Sequence, residues 1–221
     1  MRNENTNIRQ AVASDIPFLV ECIIAAEKSG TDKLSYCTIF DLAEFELRAM
    51  LAEILAEDII GQELCVSGFF VAEAAGTLAG AVCAWVEGSE RKPSGILKGN
   101  LLLHFLGQQK IGLATANLKL VEELSLSRTR GALQLESIFV ARSYRGCGIC
   151  GQLMAAQQKA AQEKHPEIKT AQIMLMKTND QAYRAYEKSG FSIVAERASQ
   201  SPGILDLLPA ACKILMEKDV Q

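Results

Sequence analysis

The spacing of apolar positions divides the chain into elements. NIRQA (7–11) reads as a short strand. Ser14 and Asp15 are N-cap residue types and Pro17 suits a first helical turn. Ile16, Leu19, Ile23 and Ala26 then return at helical spacing to about Lys28, where Ser29-Gly30 ends the helix. After Asp41, the positions Leu42, Phe45, Ala49, Ile54 and Leu55 predict a second helix. FFVAEA (69–74) and LAGAVCAWV (78–86) predict two strands joined as a hairpin around Gly76-Thr77. Residues 88–130 break this rhythm: a turn-rich polar stretch, GSERKPSG, precedes two helical patterns, NLLLHFL and ATANLKLVEELSL. This segment reads as an insertion that covers a binding site, forms a dimer surface or serves as a structural cap.

From residue 132 the pattern sharpens. ALQLESIFV is a strand and SYRGCG a turn. The helix ICGQLMAAQQKAAQEKH follows, with Ile149, Leu153, Ala156 and Ala160 on one face and Pro166 just past its end. AQIMLM (171–176) is a buried strand, and NDQAYRAYEKS (179–189) a helix with Asn179 at its N-cap and Gly190 at its C-terminal turn. FSIVAER (191–197) and CKILMEK (212–218) are the last strands. The order of elements predicts a mixed α/β (α+β) sheet fold, not a purely doubly wound one.

Composition narrows the function. A chain of 221 residues, 49% hydrophobic and 22% charged, is expected to form a single globular domain (1–221) with 88–130 as its atypical part. The net charge of -3 shows no basic surplus, which argues against binding along a nucleic-acid backbone. The polar start, MRNENTNIRQAVASD, lacks a signal-peptide core, and no run approaches roughly 18 apolar residues, so a cytoplasmic protein without a membrane partner is expected. The cysteines (22, 37, 65, 83, 147, 150 and 212) are odd in number and scattered, as expected of reduced core thiols. His104 and His165 are too few and too isolated for a zinc site, and no metal is expected.

The candidate chemistry centres on RSYRGCGICGQLM (142–154), which satisfies three motifs together. Gly146-x-Gly148-x-x-Gly151 has the spacing of a dinucleotide loop, but the next strand ends in Lys177-Thr178 where that motif wants an acid. Cys147-Gly-Ile-Cys150 has the spacing of a redox dithiol at a helix N-terminus, but lies late in the chain, between glycines suited to another purpose. The third reading is an anion cradle. A glycine-rich turn opening a helix offers unpaired amides to a phosphate, with Arg145 beside it.

The segment after the next strand favours that third reading. From Val140 onward the loop resembles the V-x-x-x-x-R-G-x-G-I-G pattern of the GNAT superfamily of N-acetyltransferases. Asn179 to Phe191 matches that family's N-x-x-A-x-x-x-Y-E-K-x-G-F at each position, Ala182 and Tyr186 included. The hairpin VAEAAGTLAGAVCAW (71–85) resembles the family's second and third strands, and only 88–130 lies outside the likeness. One departure is Cys150, where the family has Gly or Ala. The resemblance implies a mostly antiparallel central sheet flanked by helices, with a helical insertion before the fourth strand. It also implies acetyl-coenzyme A as co-substrate. Its pyrophosphate would lie on the amides of Arg145, Gly146, Cys147, Gly148, Ile149, Cys150 and Gly151, and its pantetheine beside Ile138, Phe139 and Val140. Asn179 and Ala182 would stand near the coenzyme, and the Val140 amide would polarise the thioester. Tyr186 would serve as general acid towards the sulfur.

Glu136 is the candidate base, placed by strict alternation on one face with Gln134 and Val140. Tyr183 and Tyr144 are weaker candidates, more suited to packing. The implied activity is direct transfer of an acetyl group to a primary amine of a small molecule or peptide. The competing readings are a non-catalytic acyl-coenzyme A-binding sensor domain, which Cys150 alone favours, and transfer of a longer acyl group. The apolar stretches of the insertion are compatible with a homodimer.

Overall fold

The computed structural model describes residues 6–220. The strands are β1 (Asn7–Gln10), β2 (Phe69–Ala74), β3 (Thr77–Val86), β4 (Leu133–Val140), β5 (Thr170–Met176), β6 (Ser192–Ala198) and β7 (Cys212–Asp219). They form one sheet in the order β1-β2-β3-β4-β5-β7-β6. All neighbours are antiparallel except β4 and β5, which are joined by a crossover helix. The mixed, mostly antiparallel sheet expected from the sequence is therefore present.

Helices cover both faces. On one side lie α1 (Ile16–Glu27), α2 (Ser35–Phe40), α3 (Glu44–Glu57), α4 (Ser94–Leu113), α5 (Thr115–Glu122) and the short α8 (Ile204–Leu207). On the other lie α6 (Ile149–Lys164) and α7 (Asp180–Lys188). The strands therefore carry inward residues on both faces. Val71, Ala81, Cys83 and Trp85 join the first core, whereas Ala72, Val82, Val86 and Leu133 join the second.

Two details of the N-terminal half differ from expectation. The buried stripe of α3 is Leu47, Met50, Leu51, Ile54 and Leu55, while Phe45 is 73% exposed, so the stripe begins two residues later than Phe45 suggested. Asp15 does not cap α1. Its carboxylate takes a forked pair of hydrogen bonds from Arg9 (2.7 and 3.0 Å) and one from the Val12 amide (2.9 Å), tying the helix entry back to β1. The helices α2 and α8 were not anticipated; at six and four residues they are too short for a periodic signal.

The insertion is an enlarged β3–β4 connection. Glu87 closes its base, since its amide donates to Ala132 and its carbonyl accepts from Gly131. The Glu87 carboxylate accepts from Trp85 Nε1 (3.0 Å) and from the Ser94 amide and hydroxyl (2.9 and 2.6 Å), fixing the start of α4. Gly107 departs from helical geometry and breaks α4 (φ 76°, ψ 161°). Leu101, Leu102, Ala114 and Leu124 then fold back into the first core.

Strands β4 and β5 pair only over Leu133–Leu135 and Ala171–Ile173 and then diverge. A buried amide cluster holds the paired end shut. Gln134 Nε2 donates to Gln172 Oε1 (2.8 Å), which also accepts from the Thr129 amide (2.9 Å). Gln172 Nε2 donates to Thr129 Oγ1 and Glu217 (both 2.8 Å). Replacing Gln172 by alanine strands these groups, and a loss of about 2–3 kcal/mol is expected in urea unfolding. A loss below about 0.5 kcal/mol would show that the cluster is not what holds the strands.

Candidate active site

The divergence of β4 from β5 creates the site. Glu136 stands opposite Cys83 and Phe139 opposite Ala81, so Ser137 and Ile138 together face Val82. Ser137 takes φ 50°, and the strand bulges there. The extra residue inverts the alternation. Glu136 shares the α1 face with its strand partner Cys83, as does Phe139, whose ring meets Phe18 edge-on at 6.1 Å. Ile138 and Val140 pack on the α6 face. The expected sharing of one face by Glu136 and Val140 is thus corrected: a period-2 reading assumes a regular strand, and the bulge sits between the two residues.

Backbone direction at the end of β4 follows from one bond. The Ala141 amide donates to the Ala79 carbonyl (2.8 Å), making that pair the hydrogen-bonded one. The neighbouring pair, Val140 and Gly80, is then non-bonded, so the Val140 amide points away from β3 towards the side that β5 has left. The Val140 carbonyl on that same side accepts from Arg145 Nε (3.1 Å), and Arg145 also donates to Gln181 Oε1 (3.2 Å). Arg145 thus bridges the end of β4 to the start of α7. Gly80 permits the close approach here, because a Cβ on it would lie 2.7 Å from the Phe139 carbonyl and 3.2–3.3 Å from Leu153 and Ile149 of α6.

The glycine loop has the form of an anion cradle. Gly146 and Gly148 sit at φ 81° and 79°, a region that L side chains rarely adopt. The Cys147 amide returns to Tyr144 and the Gln152 amide to Gly148. The amides of Gly148, Ile149, Cys150 and Gly151 have no acceptor among the described residues, and the dipole of the 16-residue α6 adds to them. Ile149 is buried and anchors the helix start, whereas Cys147 and Gly151 are exposed. Cys150 turns inward against the second core, and burial pushes its thiol up to about 11. That thiol is protonated at neutral pH, so Cys150 is not the low-pKa thiolate of a redox dithiol.

Between the parted strands lies a cavity of about 380 Å³. Its wall includes residues 135–138 of β4 and 173–176 of β5, so it passes through the sheet from one helical layer to the other. Tyr186 and Asn179 reach it from the α7 side. Tyr186 is 8% exposed, its hydroxyl has no hydrogen-bond partner among the described residues, and burial raises its pKa, with Cys150 and Glu136 adding to the rise. Asn179 caps α7 as expected, accepting from the Ala182 amide (3.2 Å). Of the other sequence candidates, Ile138 and Glu136 line the cavity, while Phe139, Val140 and Ala182 lie outside its wall. Tyr144 packs on the second core, and Tyr183 donates to Glu187 on the surface (3.2 Å).

On the opposite face the cavity is lined by charges that sequence reasoning missed: Glu27 of α1, Glu63, Lys98 of α4, Arg128 and Lys213 of β7, beside Tyr36 of α2. Glu63 pairs with Lys98 (2.5 Å) and Glu136 with Arg128 (3.0 Å). Burial opposes the Glu63 charge, but Lys98 and Arg128 outweigh it and hold the carboxyl at about 2. At Glu136 burial prevails: its pKa is raised, with Glu63 adding to the rise and Arg128, Lys213 and Lys98 resisting it. The insertion therefore supplies two of the three cations and forms part of the cavity wall.

This sheet, with its parted parallel pair and glycine loop, is the architecture of an acyltransferase. The family model described as "Acetyltransferase (GNAT) family" matches residues 36–191, and the chain belongs to that family. Solved structures agree on the fold. An N-acetyltransferase from Staphylococcus aureus Mu50 superposes with a TM-score of 0.64 at 15% identity, covering 96% of this chain and 100% of that one. An agmatine N-acetyltransferase mutant in apo form gives 0.61 at 14% identity, covering 98% and 100%. A ribosomal-protein-alanine N-acetyltransferase from Brucella melitensis gives 0.52 at 16% identity, covering 96% and 99%. Against curated proteins the chain has no match. Among the described residues no group of three or more His, Cys, Asp or Glu is placed to hold a metal ion, and no helix is long and apolar enough to cross a membrane.

Proposed function

We propose that the protein is an acetyl-coenzyme A-dependent N-acetyltransferase that acylates a primary amine by direct transfer. The carrying observation is that one cavity threads the gap between β4 and β5 and brings Tyr186 from one helical layer together with Glu136 from the other. The residues present fit the coenzyme. The unpaired amides of 148–151 suit a pyrophosphate, and the free edge of β4 after Leu135 suits an extended amide-bearing arm. When bound, acetyl-coenzyme A supplies the activated acyl group.

The chain's own residues then do the following. The Val140 amide donates to the thioester oxygen and stabilises the charge that grows there. Glu136, with its pKa raised by burial, takes a proton from the incoming ammonium, directly or through water. Tyr186, whose proton is held firmly by its burial, gives it to the departing sulfur.

The test is calorimetric titration of the reduced protein with acetyl-coenzyme A, with NAD in a parallel cell. Micromolar binding of the coenzyme alone, followed by thiol release on adding amines, is the expected result. Binding of NAD, or of neither, sinks the reading. Binding of the coenzyme without thiol release to any amine points to a non-catalytic sensor instead.

A further inference from the structure

The charges in the cavity do not all pair. Glu63 with Lys98 and Glu136 with Arg128 account for two carboxylates and two cations. Glu27 and Lys213 remain. Glu27 accepts from Ser35, whose amide stands at 3.3 Å, and has no ion-pair partner among the described residues; Lys213 has neither a hydrogen-bond nor an ion-pair partner among them. The two sense each other electrostatically but are not within ion-pair distance. Burial pushes Glu27 up and Lys213 down, so each is held towards its neutral form for want of a close counter-charge. The cavity is therefore lined by three carboxyl and three basic side chains, of which Glu27, at the C-terminus of α1, and Lys213, at the start of β7, are left without a close partner of opposite charge.

We propose that the acceptor is a small amino acid-like molecule, its ammonium received between Glu27 and Glu136 and its carboxylate by Lys213. This rests on the acyl-transfer reading above. A polyamine would satisfy Glu27 but press a second cation onto Lys213, and an uncharged amine would leave Lys213 buried without a partner. Transfer keeps the carboxylate end fixed. The amine nitrogen loses a proton to Glu136 and forms the amide bond as the carbon–sulfur bond of the thioester breaks. The sulfur leaves as thiol with the Tyr186 proton, the second proton of the amide nitrogen restores the phenol directly or through water, and the proton on Glu136 passes to solvent.

The experiment uses the full chain and acetyl-coenzyme A with matched probes. These are α- and ω-amino acids of two to six carbons, their primary amides and the corresponding diamines, read by thiol release. At least one amino acid is expected to exceed its amide and diamine in kcat/KM by roughly ten- to hundredfold. Lys213→Gln is expected to bring that amino acid down to the level of its amide, lowering the acid's kcat/KM roughly tenfold or more beyond any loss for the amide when both are read at a pH above the acidic limb; Lys213→Arg keeps the preference. Diamines or amides used as well as amino acids overturn the dipolar acceptor and leave acyl transfer standing. Equal losses for acid and amide in Lys213→Gln, with a lowered melting temperature, also overturn it, because Lys213 is then structural. If the coenzyme binds and no amine of any class releases thiol, the acyl-transfer reading falls, and this proposal with it.

Discussion

Replacing Tyr186 by phenylalanine is expected to lower kcat by roughly 10²- to 10⁴-fold while leaving the affinity for acetyl-coenzyme A nearly unchanged. The substitution removes one oxygen and keeps the ring that packs in the second core. That hydroxyl has no hydrogen-bond partner among the described residues, so its loss leaves no buried group unsatisfied and the fold should persist. Burial holds the phenol above its ordinary pKa, so it stays protonated through neutral pH, as an acid for the leaving sulfur requires. Phenylalanine keeps the packing and loses the proton, and the thiolate then leaves unprotonated or waits for water. The measurement is single-turnover thiol release beside calorimetric binding of the coenzyme. Turnover within about threefold of wild type would remove Tyr186 from the acid role; a matching loss of coenzyme affinity would make it a binding residue.

How much of this was legible depended on whether the signal was local. The loop and the α7 segment are contiguous, and each residue type there is dictated by the backbone at its own position, with φ near 80° at Gly146 and Gly148 and a helix cap at Asn179. They could be read directly. The hairpin, the crossover helix and β7 followed from their apolar residues, because each buries them in the core, whereas β6 was legible in FSIVAER although it lies largely exposed at the edge of the sheet. The bulge at Ser137 could not be read, since a non-glycine residue at positive φ leaves no mark in the pattern of ESIFV. The acceptor side was equally hidden. Glu27, Glu63, Lys98, Arg128 and Lys213 come from four separate regions of the chain, and alone each resembles an ordinary surface charge. Lys213 carried the nearest thing to a clue: it stands in the apolar strand CKILMEK beside the buried Ile214, and pairs with the buried Met176. What assembles these five is the inward folding of the insertion, which the sequence marked as unusual without saying where it would pack.

Glu136→Gln is expected to lower kcat/KM at neutral pH by roughly 10²- to 10³-fold and to abolish the acidic limb of its pH profile. The direction follows from the ionisation. A base works only as the carboxylate, so in the wild type kcat/KM is low at acid pH and rises as pH passes the Glu136 pKa, which burial and Glu63 place above the usual carboxylate range. Arg128, Lys213 and Lys98 face the same group and restrain the rise, Arg128 most of all through its 3.0 Å contact. Arg128→Gln withdraws that restraint. The carboxylate becomes costlier, the pKa moves further up, and the limb shifts to higher pH. This variant should therefore be poor at neutral pH and recover as pH rises, whereas Glu136→Gln recovers at no pH. The contrast separates positioning from catalysis, since Arg128 also stacks over Trp85 (5.2 Å) and its loss loosens the insertion. Loosening alone would lower the whole profile without moving its limb. Profiles of both variants at fixed ionic strength decide the matter. A limb unmoved in Arg128→Gln, or one that survives in Glu136→Gln, assigns the titration to another group, and Glu27, with its raised pKa in the same cavity, is the next to test.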